Sequence, residues 1–194
     1  MYEVENDTIY CYAGTDVLIN KLDIKDAAEL ANFEAEITSQ RAQEPIPEGD
    51  LDYAHYCALH KHLFQDVYDW AGEPRKIRIG KGGNWFCFPE HIGAEMTKLF
   101  SSLKKQNNFA GLTKAEFAKR LAHFLAELNA IHPFREGNGR TQLSFLGLIA
   151  EQAGHPLDFE RIEPDKILIA IVESFVGDEA RLRRAIADLI QVQG

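Results

Sequence analysis

His132-Pro133-Phe134-Arg135-Glu136-Gly137-Asn138-Gly139-Arg140 interrupts one helical pattern and is followed by another. Before it, Phe117, Leu121, Phe124, Leu125 and Leu128 recur at helical spacing, which predicts a helix from Thr113 to Ile131. After it, a helix is predicted from Asn138 or Gly139 to Ala153. Pro133 breaks the first pattern, because proline disfavours the α conformation in the residue before it. Two glycines around an asparagine, placed just before a helix, let successive backbone N–H groups converge. Such a nest at a helix N-terminus is an anion site.

The side chains of this junction suit phosphate chemistry. Arg140, in the first turn, offers a forked donor to phosphate oxygens. Glu136 is a hard oxygen ligand of the kind that shares Mg²⁺ with substrate phosphates. His132 is the side chain best poised to accept a proton near neutral pH. Phe134, the one apolar member, is expected to anchor the loop in the core. Taken singly, each has an ordinary structural explanation. Their order at a helix–loop–helix junction is what carries the assignment.

Working outward, Asp26 is expected to cap a helix running to about Gln43, with Ala28, Leu30, Ala31, Phe33 and Ile37 at helical spacing. A second helix is predicted from Asp52 to Trp70, ended by Gly72 and Pro74. The period then changes. Ile77 and Ile79 alternate with Arg78, Gly80-Lys81-Gly82-Gly83-Asn84 makes a turn, and Trp85-Phe86-Cys87-Phe88 follows, which predicts a short β-hairpin over 76–89. Helices are expected at Ile92–Lys104, Pro164–Phe175 and Asp178–Val192, and residues 1–25 are expected to form an extended arm. The whole chain, 1–194, therefore reads as a single all-α domain carrying one β-hairpin.

Composition narrows the function. The 194 residues carry a formal net charge of −9, which argues against general nucleic-acid binding. The acidic residues gathered early, Glu34 among them, are expected to be mostly a solvated face. Three cysteines, Cys11, Cys57 and Cys87, with no CxxC pair, indicate reduced thiols. No apolar stretch approaches the roughly 20 residues that span a bilayer, and no leader is apparent, so a cytoplasmic location without membrane contact is expected. Arg75, Lys76, Arg78 and Lys81 form a local basic cluster. It suits either an acidic or phosphate-rich neighbour or the charge protection of an edge strand.

The junction resembles the signature of the Fic family, HPFx(D/E)GNGRxxR, at all nine positions from His132 to Arg140. The likeness extends to Tyr12–Lys21, which is similar to the arm of bacterial Fic proteins. It extends also to Phe64-Gln65-Asp66-Val67-Tyr68-Asp69-Trp70-Ala71-Gly72, similar to the family's LFxDVYxWAG, and to the hairpin, which takes the place of its flap. The resemblance implies the Fic fold, helical with a β-hairpin flap, and an enzyme that moves AMP from ATP to a Ser, Thr or Tyr hydroxyl of another protein. It implies that His132 takes the hydroxyl proton and that Glu136 holds Mg²⁺. It places the phosphates on Gly137, Asn138 and Gly139, with Arg140 on the β-phosphate. The flap residues Ile77, Arg78, Ile79, Gly80 and Lys81 would dock the target's extended main chain. The resemblance to small bacterial Fic toxins implies the ATPase subunits of gyrase or topoisomerase IV as targets and a small antitoxin as partner.

One position departs from the signature. Where the family has a second arginine, three residues after the first, this chain has Leu143. On a helix that side chain stands beside Arg140, and the family uses the arginine for the γ-phosphate. Slower transfer is therefore expected. The family's inhibitory motif, (S/T)xxxE(G/N), is absent as well: Ser39 is followed four residues on by Gln43, and Ser174 by Asp178. That absence is why a separate antitoxin is expected. Two other readings stay open. One is the same fold acting with another nucleotide donor or transferring a phosphate, although the phosphate-transferring branch carries Lys near the place of Gly139. The other is a feebly active Fic-like binding module, which Leu143 favours and the intact His132, Glu136 and Arg140 oppose.

Overall fold

The computed structural model describes residues 3–4 and 7–191. Among these are seven α-helices and a three-stranded antiparallel sheet. The chain divides into two compact units, Met1–Gly93 with Pro133–Thr141, and Ala94–His132 with Gln142–Gly194.

In the first unit, α1 (Ala27–Arg41) starts as predicted, with the Asp26 carboxylate accepting from Glu29 N at 2.8 Å. Its buried stripe is Leu30, Glu34 and Thr38, whereas Ala28 and Ala31 are exposed. Glu34 is thus an inward residue and not part of a solvated face. The next helix, α2 (Tyr53–Phe64), is capped by Asp52 and stops six residues before the expected end at Trp70. Arg41 grips Asp66 through Nε and Nη2 at 2.6 and 3.0 Å, and Lys21 N donates to the Val67 carbonyl at 2.9 Å. These long-range bonds draw the LFxDVYxWAG segment off the helical path into turns. The unit's core includes Tyr56, Leu59, Phe64, Val67, Tyr68, Ile79 and Phe134.

The arm differs from expectation over its described residues. It doubles back on itself, with Cys11 bridged to Leu18, Tyr12 N on Val17 O at 3.0 Å and Ile19 N on Tyr10 O at 2.7 Å. The hairpin is shorter than predicted. β2 (Ile79–Lys81) and β3 (Asn84–Trp85) are joined by Gly82-Gly83, both at positive φ, as a two-residue hairpin turn requires. A third strand, β1 (Glu3–Val4), pairs antiparallel with β2, so the sheet order is β1-β2-β3.

In the second unit, α4 (Lys114–Ile131) is capped by Thr113, whose hydroxyl accepts from Glu116 N. It packs with α6 (Pro164–Ser174) and α7 (Ala180–Leu189). Phe100, Phe124 and Phe145 meet edge-on and stacked in this core. Phe100 belongs to α3 (Pro89–Lys105) and Phe145 to α5 (Asn138–Ala153); both helices continue across the unit boundary. The last helix stops at Leu189, short of the expected Val192, because Ile190 turns extended and bridges Leu157; position 192 itself lies outside the described residues, as do positions 1, 2, 5 and 6 of the arm. Among the described residues no helix is long and apolar enough to cross a membrane, and none of the three cysteines is in a disulfide.

Candidate active site

His132 closes α4. Its N–H donates to Leu128 O at 3.0 Å, and its backbone takes the left-handed conformation, φ 49 and ψ 65. The residue before a proline normally extends, so this position is strained, as residues of functional sites often are. The ring is buried, with Nδ1 3.2 Å from the Asn129 carbonyl. A carbonyl only accepts, so Nδ1 carries a proton, which in the neutral imidazole leaves the lone pair on Nε2, the arrangement a general base needs. The chain passes from His132 directly into Pro133.

The following loop is fixed from several sides. The Pro133 carbonyl accepts from Arg75 N at 2.8 Å. Phe134 is fully buried, as expected of the anchor, stacked on His60 at 3.7 Å and on Tyr56 at 5.5 Å. Arg135 is buried against Asp7, Nε to Oδ2 2.7 Å, with Cys11 Sγ 3.9 Å from its Nη2. His60 spans to the Glu136 carbonyl at 3.0 Å through Nε2, while its Nδ1 accepts from Gly72 N at 2.8 Å. It is therefore the neutral Nε2–H tautomer, and burial, with a smaller push from Arg140, lowers its pKa to about 3.

At the entry to α5 the two glycines do different work. Gly137 has φ +78, and a Cβ there would run into the Phe64 ring. Gly139 is an ordinary helical residue in the first turn of α5, with open space where a Cβ would stand. The Asn138 side chain is not turned to a ligand. Its Oδ1 accepts from Phe134 N at 2.9 Å and its Nδ2 donates to Phe134 O at 2.8 Å, so it staples the loop. What Asn138, Gly139 and Arg140 offer an anion is their backbone N–H groups, which have no upstream carbonyl in the helix.

Glu136 is half-buried. Its Oε1 accepts from Gly137 N at 2.9 Å and lies 4.0 Å from Arg140 Nη2. Burial raises the carboxyl above the usual glutamate range, and Glu34 adds to that. Arg140 lies over the Phe64 ring at 4.7 Å, donates to Thr38 Oγ1 at 3.0 Å and pairs with Glu34. The other Glu34 oxygen accepts from the Tyr68 hydroxyl. Sequence reasoning missed Glu34, Thr38, Tyr68 and His60. The signal for the first two was a pair of polar residues at i and i+4 continuing the stripe begun by Leu30.

Among the described residues no group of three His, Cys, Asp or Glu could hold a metal by itself. The residues nonetheless fit magnesium as a partner of substrate phosphates. Glu136 is a carboxylate short of solvent, at the mouth of a helix N-terminus, and such ions are commonly held by one carboxylate plus phosphate oxygens.

The flap residues are brought together only in part. Ile79 is fully buried, Gly80 is too crowded by Asn84 O and the Trp85 ring for a side chain, and Lys81 is exposed. Ile77 and Arg78 precede the strand, and the Arg78 guanidinium stacks on Trp85 at 4.7 Å and Phe88 at 4.1 Å. Arg75 leaves the expected basic cluster altogether. It is buried and donates to the carbonyls of Ile77 and Cys87, bracing the hairpin base. Leu143 is half-buried, one turn beyond Arg140 in α5.

The chain is similar to known proteins over most of its length. Residues 50–150 match the model of the Fic/DOC family. The chain is 52% identical over 181 residues to the probable protein adenylyltransferase y4lH of Sinorhizobium fredii, covering 93% of this chain and 94% of that protein. It is 33% identical to the probable protein adenylyltransferase Fic of Escherichia coli, covering 95% and 93%. Among solved structures, the BepC protein of Bartonella tribocorum with bound AMPPNP matches with a TM-score of 0.86 at 29% identity, covering 95% of this chain and 97% of that one. The chain belongs to the Fic/DOC family and stands in it beside the protein adenylyltransferases.

Proposed function

We propose that the protein transfers AMP from ATP to a Ser, Thr or Tyr hydroxyl of another protein. The observation that carries this is one braced loop, 133–140, that gathers the Glu136 carboxylate, the Arg140 guanidinium and the first-turn N–H groups of α5, directly after a histidine whose Nδ1 faces a carbonyl. His132 Nε2 takes the acceptor proton as the hydroxyl oxygen bonds to the α-phosphorus, and the bond to the pyrophosphate oxygen breaks in line. Arg140 and the N–H groups of Asn138, Gly139 and Arg140 hold the phosphate charge. Magnesium, when bound, neutralises that charge, and Glu136 would hold it.

Incubation with α-labelled and γ-labelled ATP and a lysate tests the reaction. Label from the α-position on protein, lost in His132→Ala, is expected; γ-label alone would mean phosphate transfer. Leu143 favours a second reading, a weakly active binding module, and absence of both labels would select it. The resemblance to small Fic toxins supports the ATPase subunits of gyrase or topoisomerase IV as acceptors. The missing inhibitory motif supports a small antitoxin supplied separately, and co-purification of a small helical protein tests that. The net charge of −9 and three cysteines without a CxxC pair support a cytoplasmic protein that does not bind nucleic acid in general.

A further inference from the structure

The two outer positions beside β2 are both taken. β3 holds one through the hairpin turn. The other is held by β1, whose residues stand some 75 positions away in the chain, Glu3 opposite Gly80 and Val4 opposite Ile79. A hairpin strand with an open edge is a template for any extended segment. β1 shows what that edge accepts: a segment running antiparallel, an acidic residue opposite Gly80 and an apolar one opposite Ile79. The acidic preference has a visible cause, because the Glu3 carboxylate accepts from Gly83 N at 3.0 Å and the exposed Lys81 stands next in the strand.

The hold is slight. In β1, Glu3 is exposed and Val4 is only half-buried. An extended segment that buries its side chains more fully on the same edge competes with it. We propose that Glu3–Val4 is a built-in competitor, holding the β2 edge until an extended acidic segment of an acceptor protein displaces it. This rests on the flap being the acceptor's docking edge, as the resemblance to the Fic family implies, and adds that the edge is closed at rest and selects for acidic segments.

The test uses the full chain without nucleotide. The probe is a fluorescent peptide copying residues 1–7, followed by anisotropy. In the native chain β1 competes with the probe; in Glu3→Lys/Val4→Pro the edge is vacated. The double variant is expected to bind the probe at least tenfold more tightly than the native chain, and a probe with Lys in place of its first Glu is expected to lose that gain. Amide exchange at Gly80 and Lys81 should quicken in the variant and slow again with probe. Equal binding by both chains, no binding by the variant, or indifference to the Lys substitution overturns the proposal. Since nothing is transferred, a chain that failed the labelled-ATP assay would still report here, and the two failures are separable.

Discussion

Thr38 Oγ1 accepts from Arg140 Nη1 at 3.0 Å while donating to the Glu34 carbonyl at 2.7 Å. The hydroxyl is thus oriented by its own helix to present a lone pair to the guanidinium. Arg140 otherwise has a long flexible stem, and its usefulness to phosphate depends on being held in place. Thr38→Val keeps the shape and removes the acceptor. The expected loss is about 1 kcal/mol of nucleotide binding, roughly fivefold in affinity. Titration of ATP into both proteins checks it, and unchanged affinity with unchanged transfer would show that Glu34 suffices alone.

Much of this was legible in advance, and the reasons differ by element. The junction 132–140 was readable because proline, glycine and charge requirements act locally. Asp26 and Thr113 revealed helix starts because capping is a contact three residues long. The end of α2 was hidden because Arg41 and Lys21 enforce it from 25 and more residues away. Glu34 was hidden for the same reason. Its partners Arg140 and Tyr68 lie far along the chain, and the only local trace of its burial is its place with Thr38 on the stripe begun by Leu30. β1 was beyond reach, since its partner β2 lies some 75 positions away and nothing local marks the pairing.

His60 predicts an acid weakness. Its pKa falls from an ordinary value near 6.5 to about 3 on folding. The unfolded chain therefore binds the proton more readily, and stability present above pH 6.5 drains away as pH falls toward 3, on the order of 4 kcal/mol in all. His60→Phe keeps a ring against Phe134 and removes the titration. It also strands the Gly72 N–H and the Glu136 carbonyl. The variant should be less stable at pH 7.5 but lose less between pH 6.5 and 4. Urea unfolding across that range measures both, and parallel curves would assign the acid loss to other groups.

Asp7 and Arg135 form the most buried ion pair on the loop, their side chains 8% and 7% exposed. Asp7→Ala removes the carboxylate that faces the buried Arg135 guanidinium. Breaking one side of such a pair costs about 3–5 kcal/mol, or about 6–20 °C in the unfolding midpoint for a chain of this size. Asp7→Leu with Arg135→Met replaces the pair by apolar contact and should recover most of the loss. A scanning melt of the three proteins decides it. If the double variant melts no higher than the single, the pair is not an isolated unit.

Leu143→Arg restores the charge that the family signature places beside Arg140. Both positions lie on one face of α5, so the new guanidinium can share a triphosphate with Arg140. A charge-assisted contact is worth about 1.5–3 kcal/mol, so ATP affinity or transfer should rise about tenfold or more. Timed transfer of the α-label compares the variant with the native chain. No gain in either quantity would mean that α5 already orients the nucleotide without that residue.

Gly137 and Gly139 look alike in sequence and should separate under one substitution. At Gly137 an added methyl meets the Phe64 ring, and the left-handed φ of +78 is costly for any residue with a Cβ. Phe64 cannot yield easily, because it is fully buried, and Arg140 rests on its face. Gly137→Ala is therefore expected to disturb Arg140 and the helix entrance together, lowering the melting midpoint and abolishing nucleotide binding. Gly139 has room and a helical backbone. There alanine gains helix propensity of about 1 kcal/mol, so the fold should be held or slightly stabilised. If Gly139→Ala nonetheless loses ATP affinity while melting normally, the methyl is blocking the phosphates' approach to the first-turn N–H groups. Measuring the melt and the ATP titration side by side thus separates a glycine that the chain needs in order to turn from one that the ligand needs in order to come close.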